Sequence, residues 1–144
     1  MQLTNVQVLN ALQSLNTISQ NKLPIRLAWK VTTAVRSLQD FAKSLDEPMQ
    51  EIRTKHALRD DAGNLVEAVD EKGEKIPNTI QIPNDKIAIV NQEMNDLLSI
   101  VVEVNNVEFS LSDFPETLEL EPAVLTGLTP LIKDEPAQEL KLVQ

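Results

Sequence analysis

The sequence predicts an α+β protein, mainly α: a three-helix antiparallel arrangement with one long kinked helix, a small β tip at residues 60–82 and a short β segment after the third helix. Three observations carry this. An apolar seam recurs every seven residues at Val31, Leu38, Leu45 and Ile52, the spacing that packed helices need. Two Asp-x-x-Gly turns, Asp60–Gly63 and Asp70–Gly73, break the helical pattern ten residues apart. After Leu98 the apolar period falls from 3.6 to 2.

Thr4 opens the first helix with Gln7 three residues on, a capping-box pattern that satisfies two backbone donors left open at a helix start. Val8, Leu12, Leu15 and Ile18 follow at helical spacing, and Asn21 marks a stop. Pro24 then restarts the chain, since it disfavours a helical Leu23 but suits a first helical turn.

The second helix holds the seam. Ala34/Val35, Phe41/Ala42 and Met49 fill the positions between the sevenfold repeats. About 33 residues at 1.5 Å each span roughly 50 Å. Pro48 lacks the N–H that would bond the Ser44 carbonyl, which predicts a kink. Alternatively Ser44 with Glu47, or Asp46, caps a fresh helix there.

The third helix starts at Asn84 or Asp85, with Ile87, Val90, Met94 and Leu97/Leu98 on one face. It is placed antiparallel to the long helix, and the first helix covers the remaining groove. Beyond it Ile100, Val102 and Val104 alternate at even positions, then Val107, Phe109 and Leu111 at odd ones. That phase flip at Asn105-Asn106 fits a two-residue hairpin, although the register sets Glu103 against Glu108. A bulge within one longer strand explains it equally, and the segment can also pair with residues 1–4. Residues 113–121 read as a loop, 122–128 as one short helix, and 133–144 as a flexible acidic tail after a single domain over 1–132.

Composition narrows the function. Cysteine is absent, which removes disulfides, thiolate catalysis and cysteine metal sites. The opening residues have no basic region followed by an apolar core, so no signal peptide is expected. No apolar run approaches the roughly 20 residues of a membrane span. Charge is uneven: residues 1–39 carry four bases and no acid, whereas the remainder holds all 22 acids, and the whole chain stands at −9.

The tip fails as an EF-hand. Counted from Asp60, the third position is Ala62 and the sixth is Leu65, where an oxygen ligand and glycine belong. No metal or cofactor is expected, nor a Gly-rich phosphate loop from three scattered glycines. His56, the lone histidine, has no serine or cysteine motif beside it and reads as a helix-end residue facing terminal carbonyls. Paired acids such as Asp60/Asp61 and Asp134/Glu135 lie in turns or tails, where water solvates them. An enzyme is not expected.

Candidate partner-binding residues fall in two places. Lys22, Arg26 and Lys30, four apart, are expected to stack along the second helix, as a phosphate or acidic-partner stripe or as a solvated face opposed by the acids of residues 93–121. The solvated face is favoured, since only Trp29 stands among them as an aromatic, and nucleic acid is not the expected partner. Trp29 itself reads first as core beneath the first helix, second as a partly exposed interface anchor. The segment "ELEPAVLTGLTPLIK" has more apolar residues than one short helix can bury, which marks Leu125, Leu128 and Leu131 as a second contact surface.

The order of parts is informative in its own right. "LTNVQVLNAL" leads to "LPIRLAWKV", then come "LDEPMQEIR", a tip with "DDAGNL" and "DEKGEKI", a helix "NQEMNDLL" and the segment "VVEVNNVEFSLSDF". This arrangement resembles a family of small proteins encoded in tailed-phage and prophage genomes. The likeness runs over residues 3–114, departs in the longer, proline-bearing tip, and fades in the last thirty residues. It implies a phage origin and a helical hairpin with a small β part, and it brings no catalytic or binding residue with it. The expectation is a non-enzymatic virion (head or neck) or virion-assembly component acting through protein–protein contacts. Its partners would be phage structural or assembly proteins, with homo-oligomers open and no membrane. It would work in the host cytoplasm during infection, or within the particle. The alternative is a host-directed inhibitor or anti-defence protein that binds a bacterial protein, for which −9 suits mimicry of nucleic acid.

Overall fold

Thr4 begins the first helix as its spacing predicts. In the computed structural model, which describes residues 1–133, the Thr4 hydroxyl accepts the Gln7 N–H at 3.2 Å while Gln7 Oε1 accepts the Thr4 N–H at 2.9 Å. The elements run β1 (Gln2–Thr4), α1 (Asn5–Ile18), α2 (Ile25–Lys55), α3 (Ile87–Leu98), β2 (Val101–Glu103) and α4 (Pro122–Leu128). Short 3₁₀ turns occupy Asn84–Lys86, Leu111–Asp113 and Thr129–Leu131. The result is mainly helical with a two-stranded sheet, and it has four α-helices among the described residues where the expected arrangement has three.

The expectation of a single domain over 1–132 rests on length alone. The described residues divide into two compact units: Met1–Ala42 with residues 101–133, and Lys43–Ile100. α2 contributes to both. Residues 134–144, which contain Asp134, Glu135 and nearly all of the expected acidic tail, lie outside the described residues.

The first unit holds most of the core. Val8, Ala11, Leu15 and Ile18 of α1 are fully buried, as are Val31, Ala34 and Leu38 of α2, with Leu3, Val104, Val107, Phe109, Leu128 and Leu131 completing the cluster. Aliphatic side chains fill all of it but the place of Phe109, in keeping with a chain of 3% aromatic residues. The neighbour of α1 here is α4, which supplies the fourth helix. Gly127 of α4 is buried against Ser14 and the Asn10 carbonyl, and its missing side chain lets the two backbones approach.

β1 pairs antiparallel with β2 in the register Leu3↔Val102, so the segment after the third helix does find residues 2–4. The hairpin does not form. Val104 and Val107 are both buried on either side of Asn105-Asn106, and Asn106 takes a left-handed φ of 63°. The phase flip is therefore real, but the chain turns onward instead of back. Phe109 donates its N–H to the Leu131 carbonyl and accepts that of Lys133, both at 2.9 Å, in a parallel bridge to Ile132. Electrostatics agrees, since a hairpin would oppose Glu103 and Glu108, whereas Glu108 now faces Lys133 at 3.4 Å. Ile100 and Leu111, which the hairpin would bury, are 51% exposed.

In the second unit α2 runs unbroken through Pro48, so no fresh helix is capped at Ser44 or Asp46. The tip is two successive tight turns built alike. Asp60 Oδ1 accepts the N–H groups of Ala62 and Asn64, and Asp70 Oδ1 those of Lys72 and Glu74, at 2.9–3.0 Å. Gly63 and Gly73 supply the positive φ of 83° and 81° that closes each turn. The flanking residues make single bridges, Arg59↔Leu65 and Val69↔Lys75, rather than full strands. Gln81 fastens the tip by accepting the Leu58 N–H and donating to the Val66 carbonyl. His56 bonds the Glu93 carboxylate at 3.1 Å instead of helix carbonyls, and Lys55 reaches the same oxygen at 3.2 Å. The His56 hydrogen bond, then that of Lys55, holds the Glu93 carboxyl below its ordinary range.

Candidate functional site

A helical position advances 100° per residue, so side chains two apart point in nearly opposite directions while those four apart share a face. At the start of α2 this separates two apolar sets. Leu27 and Val31 are 2% exposed and join the core, whereas Ile25 is 86% exposed and Trp29 70%. Trp29 is therefore not core, which corrects the first expectation. It falls out of phase with the seam that begins at Val31, a signal already present in the spacing. Burying a tryptophan removes about 150–250 Å² from water, so leaving one outside forgoes a large stabilisation.

Trp29 borders a shallow groove of about 570 Å³ with Lys30, Thr33, Asn105, Asn106 and Glu108. Asn106, one of the lining residues, holds the left-handed φ of 63°. Lys30 does not reach freely into solvent. Its Nζ donates to Asp113 Oδ2 at 2.6 Å and lies 6.0 Å from the Phe109 ring centre, and that ring stacks on Phe114 with centroids 5.7 Å apart. This is the solvated-face reading in part, because an acid between residues 93 and 121 does oppose the base.

The expected stripe is shorter than its spacing suggests. Lys22 precedes α2, whose first residue is Ile25, so only Arg26 and Lys30 stack on the helix. Lys22 and Arg26 are exposed and make no ion pair among the described residues.

The three leucines of the second candidate surface part company. Leu128 and Leu131 are 1% and 0% exposed and belong to the core, because Leu131 is drawn in by the parallel bridge to Phe109. Leu125 remains 45% exposed. It lines an apolar groove of about 260 Å³ together with Leu111, Phe114, Leu118 and Leu120. Exposed Glu116, Glu119 and Glu121 alternate with those leucines along the chain. That groove was legible as the alternation "LELE", which reads as loop from composition but places acids and leucines on opposite sides once the chain is extended.

Asp113 ties the two regions. Burial pushes its carboxyl up, but hydrogen bonds from Lys30 and the Ser110 N–H outweigh that and leave it below the ordinary range. A group with a depressed folded-state pKa adds stability above its unfolded pKa and loses it as pH falls through the folded one. Stability should therefore hold from neutrality down to the ordinary carboxylate range and decline below it. Asp113→Asn, which leaves nothing to titrate there, is expected to flatten that acid limb, as read from urea midpoints measured against pH.

Asp60 and Asp70 engage their own backbone, and among the described residues no group of three or more His, Asp or Glu side chains is gathered to hold a metal ion. No helix among them is long and apolar enough to cross a membrane. No protein-family model matches the chain, and neither a curated protein nor a solved structure matches it.

Proposed function

We propose that this chain is a non-enzymatic interaction protein of a tailed phage, built into the particle or used to assemble it, and that it works through the Ile25–Trp29 face. The observation that carries this reading is the exposed pair itself. An aromatic anchor four residues from a nearly bare isoleucine, with exposed Arg26 between them on the helix, has the make-up of an interface centre. The folded chain gains nothing from leaving that apolar area in water, whereas a partner that covers it does.

The contact reading also accounts for the groove beside Trp29. Asn105, Asn106, Thr33 and Glu108 offer amide, hydroxyl and carboxylate partners around one large apolar side chain, the pattern of a hot spot ringed by polar groups. Acidic mimicry of nucleic acid is the weaker account, since this face carries Arg26 and no acid stands among residues 1–39.

The test is mass spectrometry of purified particles from a phage that encodes the chain, wild type beside Trp29→Ala. Peptides at counts comparable to known structural proteins are expected, with the variant depleted at least tenfold although folded. Clean absence of the wild-type chain, from the particle and from assembly intermediates alike, would remove the reading.

A further inference from the structure

The first 21 residues carry no charged side chain, although charged residues make up 24% of the chain. That stretch includes all of α1, so the helix has a surface without charge. Its buried side holds Val8, Ala11, Leu15 and Ile18. On the other side Val6, Asn10, Gln13 and Thr17, spaced four, three and four, form one exposed stripe. A surface helix ordinarily carries charged residues at such positions, because water solvates them well.

Beside the stripe, α1 and α4 border a groove of about 390 Å³. Asn10, Gln13, Ser14 and Thr17 line it from α1, Thr126 and Gly127 from α4, and no charged residue is among its lining. Ser14 is 5% exposed, and its side chain forms no hydrogen bond among the described residues. Thr17 and Thr126 donate their hydroxyls to the Gln13 and Pro122 carbonyls of their own helices, at 3.1 and 2.8 Å, and keep lone pairs to accept with. The carboxamides of Asn10 and Gln13 both donate and accept.

These properties select the occupant. Charged side chains are thinned out where a partner takes water away, because desolvating them is costly. A different protein could still meet charge with opposite charge, and a chain at −9 has acids to offer it. A twofold contact cannot, since each residue near the axis meets its own copy and a charge there meets its like. Such a contact needs groups that pair with themselves, as apolar side chains, hydroxyls and carboxamides do. We infer that a second copy of this chain covers this face, α1 packing on α1 about a twofold axis between Asn10 and Gln13. A carboxamide of each copy then reaches the Ser14 hydroxyl of the other. The contact uses no residue of the Ile25–Trp29 face, so each dimer carries two such faces for other partners.

Sedimentation equilibrium of the full chain with charge-swapped variants tests it. Wild type is expected to be a dimer. Gln13→Glu and Gln13→Lys, at an exposed position, are each expected to raise the dimer dissociation constant about a hundredfold, because like charges then meet in a desolvated contact. Their helical circular dichroism should match that of wild type. Mixed in equal amounts they are expected to associate again, each carboxylate facing an ammonium. Gln39→Glu, which adds the same charge at an exposed position of α2, is expected to leave the dimer intact. Should Gln13→Glu misfold, Asn10→Asp with Asn10→Lys serves. A wild-type monomer would exclude the second copy, and a dimer indifferent to charge at Gln13 would place the contact elsewhere. Equal dissociation by Gln39→Glu would show that total charge governs association and would overturn the contact. A mixture that stays monomeric would mean that this face meets a different surface, and would remove the pairing of α1 with itself.

Discussion

Leu38→Asp is expected to unfold the first unit. Leu38 is fully buried among Val31, Ala34 and the apolar face of α1 in one continuous cluster. Truncating such a leucine to alanine typically costs about 2–5 kcal/mol through lost burial and the cavity left behind. Aspartate adds the expense of an unpaired carboxylate in an apolar site, which is several kcal/mol more. Domains of this size are stable by only about 5–15 kcal/mol, so the sum takes most or all of it. Loss of helical circular dichroism and collapse of amide shift dispersion would record the effect. The control is Leu38→Ala, expected to remain folded with a lower urea midpoint. A well-folded monomeric Leu38→Asp protein would instead show that the heptad seam is satisfied between chains and not within one.

Gly127→Ala should destabilise by about 1–3 kcal/mol, although glycine is the poorer helix former. Inside a helix, alanine gains about 1 kcal/mol over glycine. Against that, a Cβ at residue 127 would collide with Ser14 Oγ and lie 2.9 Å from the Asn10 carbonyl oxygen and 3.1 Å from Ser14 Cβ. Part of this can be relieved, because Ser14 Oγ is a single rotatable atom. The Asn10 oxygen belongs to the α1 backbone and cannot yield without moving the helix. Thermal melts of Gly127→Ala, Ser14→Ala and the pair would separate the two. The double variant is expected to recover a fraction of the loss but not all of it. Full recovery would mean that Ser14 alone sets the helix separation, and a stabilised Gly127→Ala protein would mean that α1 and α4 pack less closely than described.

Both predictions concern the same architectural point, the way α1 is covered. Sequence periodicity shows that α1 has an apolar face, since Val8, Leu15 and Ile18 recur at helical spacing. It cannot show what lies on that face. The short segment 122–128 was legible as a helix, yet its surroundings hold more apolar residues than one short helix can bury, which made Leu128 look like surplus. In the structure it is fully buried beside Gly127, the one glycine that adopts no turn.

Local rules decided the rest of what was readable. The Thr4 capping box, the seam along α2, the two Asp-x-x-Gly turns and the phase flip at Asn105-Asn106 each depend on residues within a few positions of one another. Such features follow from hydrogen-bond reach and backbone sterics, which sequence spacing encodes directly. Trp29 was also legible in principle, because a helix turns 100° per residue and the seam's phase excludes it. It was the habit of burying tryptophan that pointed the other way.

Pairing between distant segments was decided only by the tertiary structure. Phe109 could hydrogen-bond back to the preceding run or onward to Leu131 and Lys133, and both choices satisfy its backbone. The outcome turned on burial elsewhere and on keeping Glu103 from Glu108, which are sums over the whole unit. The same holds for Lys30, whose partner Asp113 is 83 residues away, and for Leu131, which changes from surplus to core through one parallel bridge. The sequence by itself determined the helices, the turns and the charge asymmetry, since those are set within one or two turns of chain. Which apolar faces meet, and which are left for a partner, only the folded arrangement decided, because burial is a property of neighbours that the chain brings together from afar.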